Sequence, residues 1–252
     1  MKRNVMVSVM VIVFLMTFIS SAFADEIRIG GGGAAISSVF KPIRPHFEKA
    51  TGHTLVILQS SPKNGFIDMV QGRLDAAVAA VPIESMIKGA EGDGLKVDPV
   101  TVQKTDVARN RTVILLHKDN PIAKLSKEQL KGIFTGKIQN WKEVGGKDMP
   151  IIVVWGKASP GQNAQFTREI LDGEAVLKDR LDSTDYAGIK GDVAATPEAI
   201  GIDPIGLADA SVHVPGSPEI TSPVIIVTKG MPSANVQKLI DYVKGEGTQY
   251  IK

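Results

Sequence analysis

Three loops of the sequence contain the residue types that bind small anions: one is a run of glycines, and the other two combine glycine with hydroxyl, amide and cationic side chains. They are residues 30–35, 59–65 and 156–163. Each loop lies between a predicted strand and a predicted helix, where the first N–H groups of the helix are unpaired and favour negative charge. The four glycines of the first loop allow the backbone to approach a ligand closely. We therefore predict an anion site whose ligand-binding residues are Gly32, Gly33, Ala34, Ala35, Ser60, Ser61, Lys157, Ser159, Gly161, Gln162 and Asn163.

Two of these loops also have purely structural explanations. A flexible turn would explain the glycine run, and a solvated, capped helix start would explain residues 59–65. We favour the ligand interpretation for the first loop because it follows a strand and precedes a helix, where open α/β sheets bind their ligands.

No catalytic or metal-binding constellation is visible in the sequence. The four histidines are scattered without His-x-x-x-His spacing, and the chain has no cysteine and no Gly-x-Ser-x-Gly motif. Residues 30–35 lack the G-x-G-x-x-G pattern with an acidic residue about twenty positions later, which argues against a dinucleotide site. We therefore predict a binding protein rather than an enzyme, with no metal and no cofactor.

Strands and helices alternate along the chain, and this pattern predicts an α/β fold with mainly parallel sheets. Apolar or alternating runs predict strands at 26–29, 55–58, 75–81, 97–102, 112–116, 151–154 and 224–227. Helical spacing predicts helices at 37–51, 64–71, 162–171, 175–180, 196–200 and 236–244. A further helix begins after Ser126, which forms a capping box with Gln129.

That helix opens the most distinctive segment, residues 125–146: Leu-Ser-Lys-Glu-Gln-Leu-Lys-Gly-Ile-Phe-Thr-Gly-Lys-Ile-Gln-Asn-Trp-Lys-Glu-Val-Gly-Gly. It resembles the segment L-S/T-x-E-Q-L-x-x-I-F-x-G-K-I-x-N-W-x-x-V-G-G of the periplasmic phosphate-binding proteins that serve bacterial ABC transporters. Residues 47–52, 72–77, 195–202 and 236–251 resemble further segments of that family in the expected order. The resemblance covers nearly the whole chain after residue 24.

The resemblance implies a type II periplasmic binding protein, with two lobes joined by two crossing strands and each lobe a mainly parallel sheet flanked by helices. One lobe would comprise residues 25–108 and 205–252, and the other residues 109–204. It implies a monomer that captures a small oxyanion, phosphate or a phosphate-like ion, between its lobes and delivers it to an inner-membrane ABC permease. The alternative is a periplasmic sensor or accessory binding protein, detached from transport, with a different small ligand.

The chain departs from the family at the residues that contact phosphate. Ala34 and Ala35 occupy the positions of the family's Thr and Phe, and Ala80 occupies that of the aspartate that accepts a proton from the ligand. In the third loop, the positions of the arginine, serine and threonine are Gly156, Pro160 and Gln162, and only Gly161 matches.

These replacements leave the identity of the ligand open. Losing an arginine removes a bidentate clamp, for which Lys157 would substitute only as a point charge. Arg109 and Arg111, near the predicted crossing strand, would either supply replacement charge or lie at the surface or hinge.

The N-terminus predicts export to the periplasm. Lys2 and Arg3 precede an apolar run at 5–19, and Ala22-Phe23-Ala24 forms a cleavage site before Asp25, so residues 1–24 are predicted to be a cleaved signal peptide. The alternative, a membrane anchor, needs about 20 apolar residues, more than the run contains. Without cysteine, the exported chain carries neither a disulfide nor a lipid anchor.

Charge excludes two classes of partner. Removing residues 1–24 subtracts two of the 29 basic residues and none of the 27 acidic ones, so the exported chain has no net charge. A neutral chain argues against nucleic acid or an anionic membrane as a partner.

Overall fold

The computed structural model describes residues 26–251, so the predicted signal peptide lies outside the described residues. The strands are β1 (Glu26–Gly32), β2 (Thr54–Ser60), β3 (Ala76–Ala79), β4 (Val102–His117), β5 (Ile152–Gly156), β6 (Leu181–Ser183), β7 (Ala199–Pro204), β8 (Val212–His213) and β9 (Ile220–Lys229). The helices are α1 (Gly33–Ala35), α2 (Lys41–Thr51), α3 (Pro62–Val70), α4 (Ile83–Gly92), α5 (Lys127–Phe134), α6 (Pro160–Glu169), α7 (Tyr186–Ala195) and α8 (Ala234–Lys244). A π-helical segment, Ile36–Phe40, joins α1 to α2. Within this part of the chain, no helix is long and apolar enough to cross a membrane.

The strands form one sheet in the order β2-β1-β3-β9-β4-β7-β5-β6, with β8 attached to β4. At one end, β1 pairs in parallel with β2 and β3, and at the other, β5 pairs in parallel with β6 and β7. The two long strands β4 and β9 are antiparallel and lie between these parallel sets. The predicted α/β class, with two crossing strands, is confirmed.

The hydrophobic core is divided on either side of the crossing strands. Two buried clusters contain core residues between 27 and 107 together with residues 224–227 of β9 and the buried face of α8, and two others contain core residues between 113 and 202 together with Val212 and Ile220. β9 therefore contributes its first residue to one set and its later residues to the other. The division into lobes at residues 108 and 205 stays a prediction. The packing of the core favours placing the second of these two boundaries near residue 220 instead of 205.

Residues 125–146, the segment that resembles the phosphate-binding family, form α5 and the turn that follows it. Ser126 Oγ accepts a hydrogen bond from the Gln129 N–H at 3.2 Å, and Gln129 Oε1 accepts one from the Ser126 N–H at 2.9 Å, as the capping box predicts. The buried Trp141 donates from Nε1 to the carbonyl oxygen of Glu198 at 3.0 Å. This bond anchors the segment to the turn before β7.

Several predicted elements are wrong, because long-range pairing overrides local pattern. The strands predicted at 97–102 and 112–116 are replaced by the single strand β4, which pairs with β9 and β7. Residues 175–180 are not helical: the Leu177 N–H donates to the carbonyl oxygen of Phe134 instead of within a helix. Residues 196–200 form a turn that enters β7, and helices α4 and α7 were not predicted.

The sequence predicts that the first strand ends at residue 29. In the structure the glycine run does not interrupt this strand but extends it to Gly32. Residues 30–32 continue the ladder with β2. Gly31 has a φ of 136°, and a Cβ there would collide with the Val78 carbonyl oxygen. Only glycine permits this conformation and this approach of β3.

Candidate ligand-binding site

A small cavity of about 30 Å³ lies between the two halves of the molecule, beside the crossing strands. The segments that follow β1, β2 and β3 form one wall, and those that follow β5 and β6 form the other. Its lining consists of Gly32, Gly33, Ala34, Ser60, Pro62, Ala80, Val81, Asn110, Thr112, Ala158, Pro160, Gly161, Gln162, Gln165, Tyr186 and Ser222. All of these side chains are uncharged, so hydrogen-bond donors and backbone dipoles determine what the cavity binds.

Two helical segments begin at the cavity from opposite sides. The helix that starts at Gly33 runs without interruption to Thr51, and α6 starts at Pro160. Ser159, at the N-cap of α6, makes no capping hydrogen bond to that helix, which leaves the N–H groups of Gly161 and Gln162 without a side-chain cap. The positive ends of both helix dipoles therefore converge on the cavity, an arrangement that favours an anion.

The crossing strands supply polar side chains to the cavity. Asn110 and Thr112 lie on β4, and Ser222 lies on β9. The Asn110 carbonyl oxygen accepts a hydrogen bond from Ser38 Oγ at 2.7 Å, which orients the amide. Within residues 26–251, the Asn110 amide nitrogen and the Thr112 and Ser222 hydroxyls form no side-chain hydrogen bond. These donors are available to a ligand.

These three residues, and Tyr186, which also lines the cavity, were not predicted from the sequence. For β4, the sequence did contain a signal: side chains alternate along a strand, so Asn110 and Thr112, which alternate with Arg109 and Arg111, lie on the face opposite to the two arginines. Arg109 and Arg111 are exposed and point away from the cavity. Arg109 donates to Thr221 Oγ1 at 2.6 Å.

Six of the predicted ligand-binding residues do line the cavity: Gly32, Gly33, Ala34, Ser60, Gly161 and Gln162. Ser61 lies nearby and caps α3, where its Oγ accepts from the Asn64 N–H at 3.1 Å. The roles of all these residues as ligand contacts stay predictions.

The remaining predicted ligand-binding residues are placed elsewhere. Ala35 is fully buried in the hydrophobic core. Lys157 is exposed, with its Nζ 3.6 Å from a carboxylate oxygen of Asp182. Ser159 Oγ and Asn163 Nδ2 lie 3.2 Å and 2.7 Å from the Gly156 carbonyl oxygen, to which both donate, so they stabilise the loop itself.

The two halves of the molecule contact each other through glycines around the cavity. A Cβ on Gly33 would lie 2.8 Å from Cε2 of Tyr186, and one on Gly161 would lie 2.6 Å from Cγ1 of Val81. Gly206, in the short turn Ile205–Leu207 after β7, lies against the backbone of Ser37. The structure is therefore a closed form in which the cavity is bounded from both sides.

A buried acid lies at the cavity end of β7. Asp203 is 0% exposed, and neither of its carboxyl oxygens has a hydrogen-bond partner within the described residues. Burial, with a smaller contribution from Asp185, raises the pKa of Asp203 to about 9. Burial and the nearby Asp203 also raise the pKa of Tyr186. Both groups are therefore neutral at pH 7 and add no negative charge beside the cavity.

The fold defines a class of protein: two α/β units joined by two crossing strands, with a donor-lined cavity between them, are the architecture of the periplasmic binding proteins. The chain belongs to the PBP superfamily, whose domain model matches residues 19–206. Within the chain, the match includes β1 to β7, and therefore most of the cavity.

Individual relatives are phosphate-binding proteins. The chain is 32% identical over 154 residues to the phosphate-binding protein PstS of Bacillus subtilis (strain 168), a match that covers 53% of this chain and 49% of that protein. The chain thus spans about half the length of the curated relatives it matches. The resemblance to the phosphate-binding family is confirmed.

Solved structures share the fold. A phosphate ABC transporter substrate-binding protein with bound phosphate from Clostridium perfringens superposes with a TM-score of 0.74 at 22% identity, over 90% of this chain and 96% of that chain. An ABC-type phosphate transport receptor from Vibrio cholerae superposes with a TM-score of 0.61, also at 22% identity, over 88% and 95% of the two chains. At this identity, the similarity establishes the fold alone.

Proposed function

We propose that the protein is a periplasmic solute-binding protein that captures phosphate or a phosphate-like oxyanion between its lobes and delivers it to an ABC permease. One observation supports this most directly: two helix starts and the uncharged donors of Asn110, Thr112, Tyr186 and Ser222 converge on one small cavity. The names of the relatives point to the same ligand.

Ligand capture follows from the position of the cavity. An anion there contacts the start of the Gly33 helix on one side and the start of α6 on the other. Because it contacts both sides only when they are close together, it stabilises the closed form. The crossing strands β4 and β9 are the covalent connections about which the lobes would separate to release it.

The donor set has a consequence for selectivity. The family's ligand-facing aspartate is Ala80 here, and the neutral Asp203 does not present a carboxylate to the cavity. An ionised carboxylate would repel a fully deprotonated oxyanion, and without it that discrimination is absent. We expect calorimetric titration to show that phosphate binds and that sulfate competes for the same site. If phosphate binds and sulfate does not compete, a group other than the family's aspartate must accept the proton of the phosphate.

The hydroxyl of Thr112 provides a direct test of the cavity. Thr112→Val keeps the shape and removes one hydrogen bond to a charged ligand, which contributes about 1.5–3 kcal/mol. We expect phosphate affinity to fall about 10- to 150-fold in isothermal titration calorimetry. Thr105→Val, on the same strand and away from the cavity, is the matched control and should bind like the parent protein. Equal affinity in both variants would exclude the cavity as the ligand site.

The same proposal includes the protein's location and mode of action. Export through a cleaved signal peptide of residues 1–24 is supported by the sequence pattern, and action as a monomer is the family expectation. Binding and release without catalysis is supported by the superfamily to which the chain belongs and by the names of its relatives.

A further inference from the structure

A larger groove opens directly from the cavity. Its volume is about 680 Å³, within the roughly 300–1,000 Å³ of typical small-molecule sites. The groove and the cavity share walls formed by Val81, Pro160, Gly161 and Ser222. The rest of the groove is formed by the starts of α3 and α4, one side of α6 and the first part of β9. A ligand in the cavity therefore has space to extend in this direction.

The walls of the groove suit an apolar group rather than a second anion. Four prolines line it, at positions 62, 82, 160 and 223, together with Ala164 and Val81. Proline has no N–H, so these four backbone positions offer no donor to an anion. Against this apolar part of the wall, an ion is not compensated for the hydration it loses, whereas an alkyl or aryl group gains by leaving water.

The charged residues at the edge of the groove are already paired. Lys63 Nζ lies 2.6 Å from a carboxylate oxygen of Asp93, and Arg168 Nη2 lies 2.7 Å from one of Glu169. These pairs leave no net charge at the edge, which favours a neutral substituent.

The cavity itself adds a reason for such a substituent. Because its lining contains no charged side chain, it lacks the cationic clamp that makes charge-assisted bonds to an anion strong. Contact between an organic group and the groove would compensate for that loss. An inorganic ion would leave the adjoining apolar surface unused.

We propose that the ligand is a monosubstituted phosphoryl compound, an organic phosphate monoester or a phosphonate, whose phosphoryl group occupies the cavity and whose organic group lies in the groove. This inference rests on the proposed capture of an oxyanion by the cavity. It assigns the prolines and Ala164 to recognition of the organic group, and Asn110, Thr112 and the helix starts to recognition of the phosphoryl oxygens.

The test is a calorimetric titration of the purified protein with inorganic phosphate, methyl-, propyl- and hexylphosphonate, and hexyl phosphate. We expect affinity to rise with chain length by up to about fourfold for each methylene that enters the groove. Comparison of hexyl phosphate with hexylphosphonate distinguishes the ester from the phosphonate. Affinity that stays flat or falls with chain length overturns the inference.

A variant locates the organic group. Ala164→Trp fills the groove without altering the cavity lining, so it should abolish the gain with chain length and leave phosphate affinity unchanged. Thr167→Trp, on the same helix and outside the groove, is the matched control and should retain the gain. An undiminished gain in Ala164→Trp overturns the inference.

The titrations distinguish failure of the organic substituent from failure of the proposed oxyanion capture. Phosphate that binds as tightly as hexylphosphonate or more tightly refutes only the organic substituent. If phosphate and all the substituted compounds fail to bind, the capture of an oxyanion fails as well.

Discussion

Gly206→Ala is expected to weaken ligand binding about 5- to 150-fold while leaving the free energy of unfolding of the ligand-free protein nearly unchanged. A Cβ at this position would collide with the backbone of Ser37 across the cleft. Overpacking costs about 1–3 kcal/mol, and here the cost falls on the closed form alone because the contact is lost when the lobes separate. Since the ligand binds the closed form, the cost appears as lost affinity.

Calorimetry and chemical denaturation measure the two quantities separately. Gly191→Ala is the matched control, because no atom lies within 4 Å of a Cβ there and the residue lies inside α7. It should bind like the parent and gain up to about 1 kcal/mol of stability from helix propensity. If Gly206→Ala keeps the parent's affinity, closure does not require the contact between this turn and Ser37.

Asp203→Asn is expected to raise the stability of the protein at pH 7 by up to about 4 kcal/mol. The pKa of Asp203 is about 9 in the folded protein against a usual value of 3.8, so folding takes up a proton between these values. Its contribution to stability is complete below about pH 3.8 and decreases as the pH rises, by about 1.4 kcal/mol per pH unit, until about pH 9. Asparagine keeps the shape and removes this proton uptake.

Denaturant titrations at pH 5, 7 and 9 measure the effect. The parent should lose stability more steeply than Asp203→Asn across this range, and the difference between them should grow with pH. Asp179→Asn, at an exposed position, should follow the parent's pH dependence. Parallel pH profiles for the parent and Asp203→Asn would mean that Asp203 is ionised in the folded protein.

The sequence predicted the elements whose determinants are local. The capping box of Ser126 and Gln129 depends on residues three apart, and the structure contains it as predicted. The buried face of α8, with Leu239, Ile240 and Val243, depends only on helical spacing. Strand-helix alternation likewise sufficed for the α/β class.

Elements that depend on pairing between distant residues were predicted poorly. β4 is one strand of 16 residues, because β9 and β7 supply partners along its length, yet its polar middle resembled a connection between two strands. Residues 175–180 have an acceptable helical pattern, but the Leu177 N–H bonds to the end of α5. No local signal contains that information.

The candidate site shows the same division. By itself, the sequence determined the class of protein, the loops that precede the helices and the loss of the family's charged phosphate contacts. Only the tertiary structure decided that Asn110, Tyr186 and Ser222 line one cavity and that Lys157 does not. It also revealed the buried Asp203 and the apolar groove. The physical reason is that a loop's composition is local, whereas the direction of a side chain and its burial depend on strands that pair across more than a hundred residues.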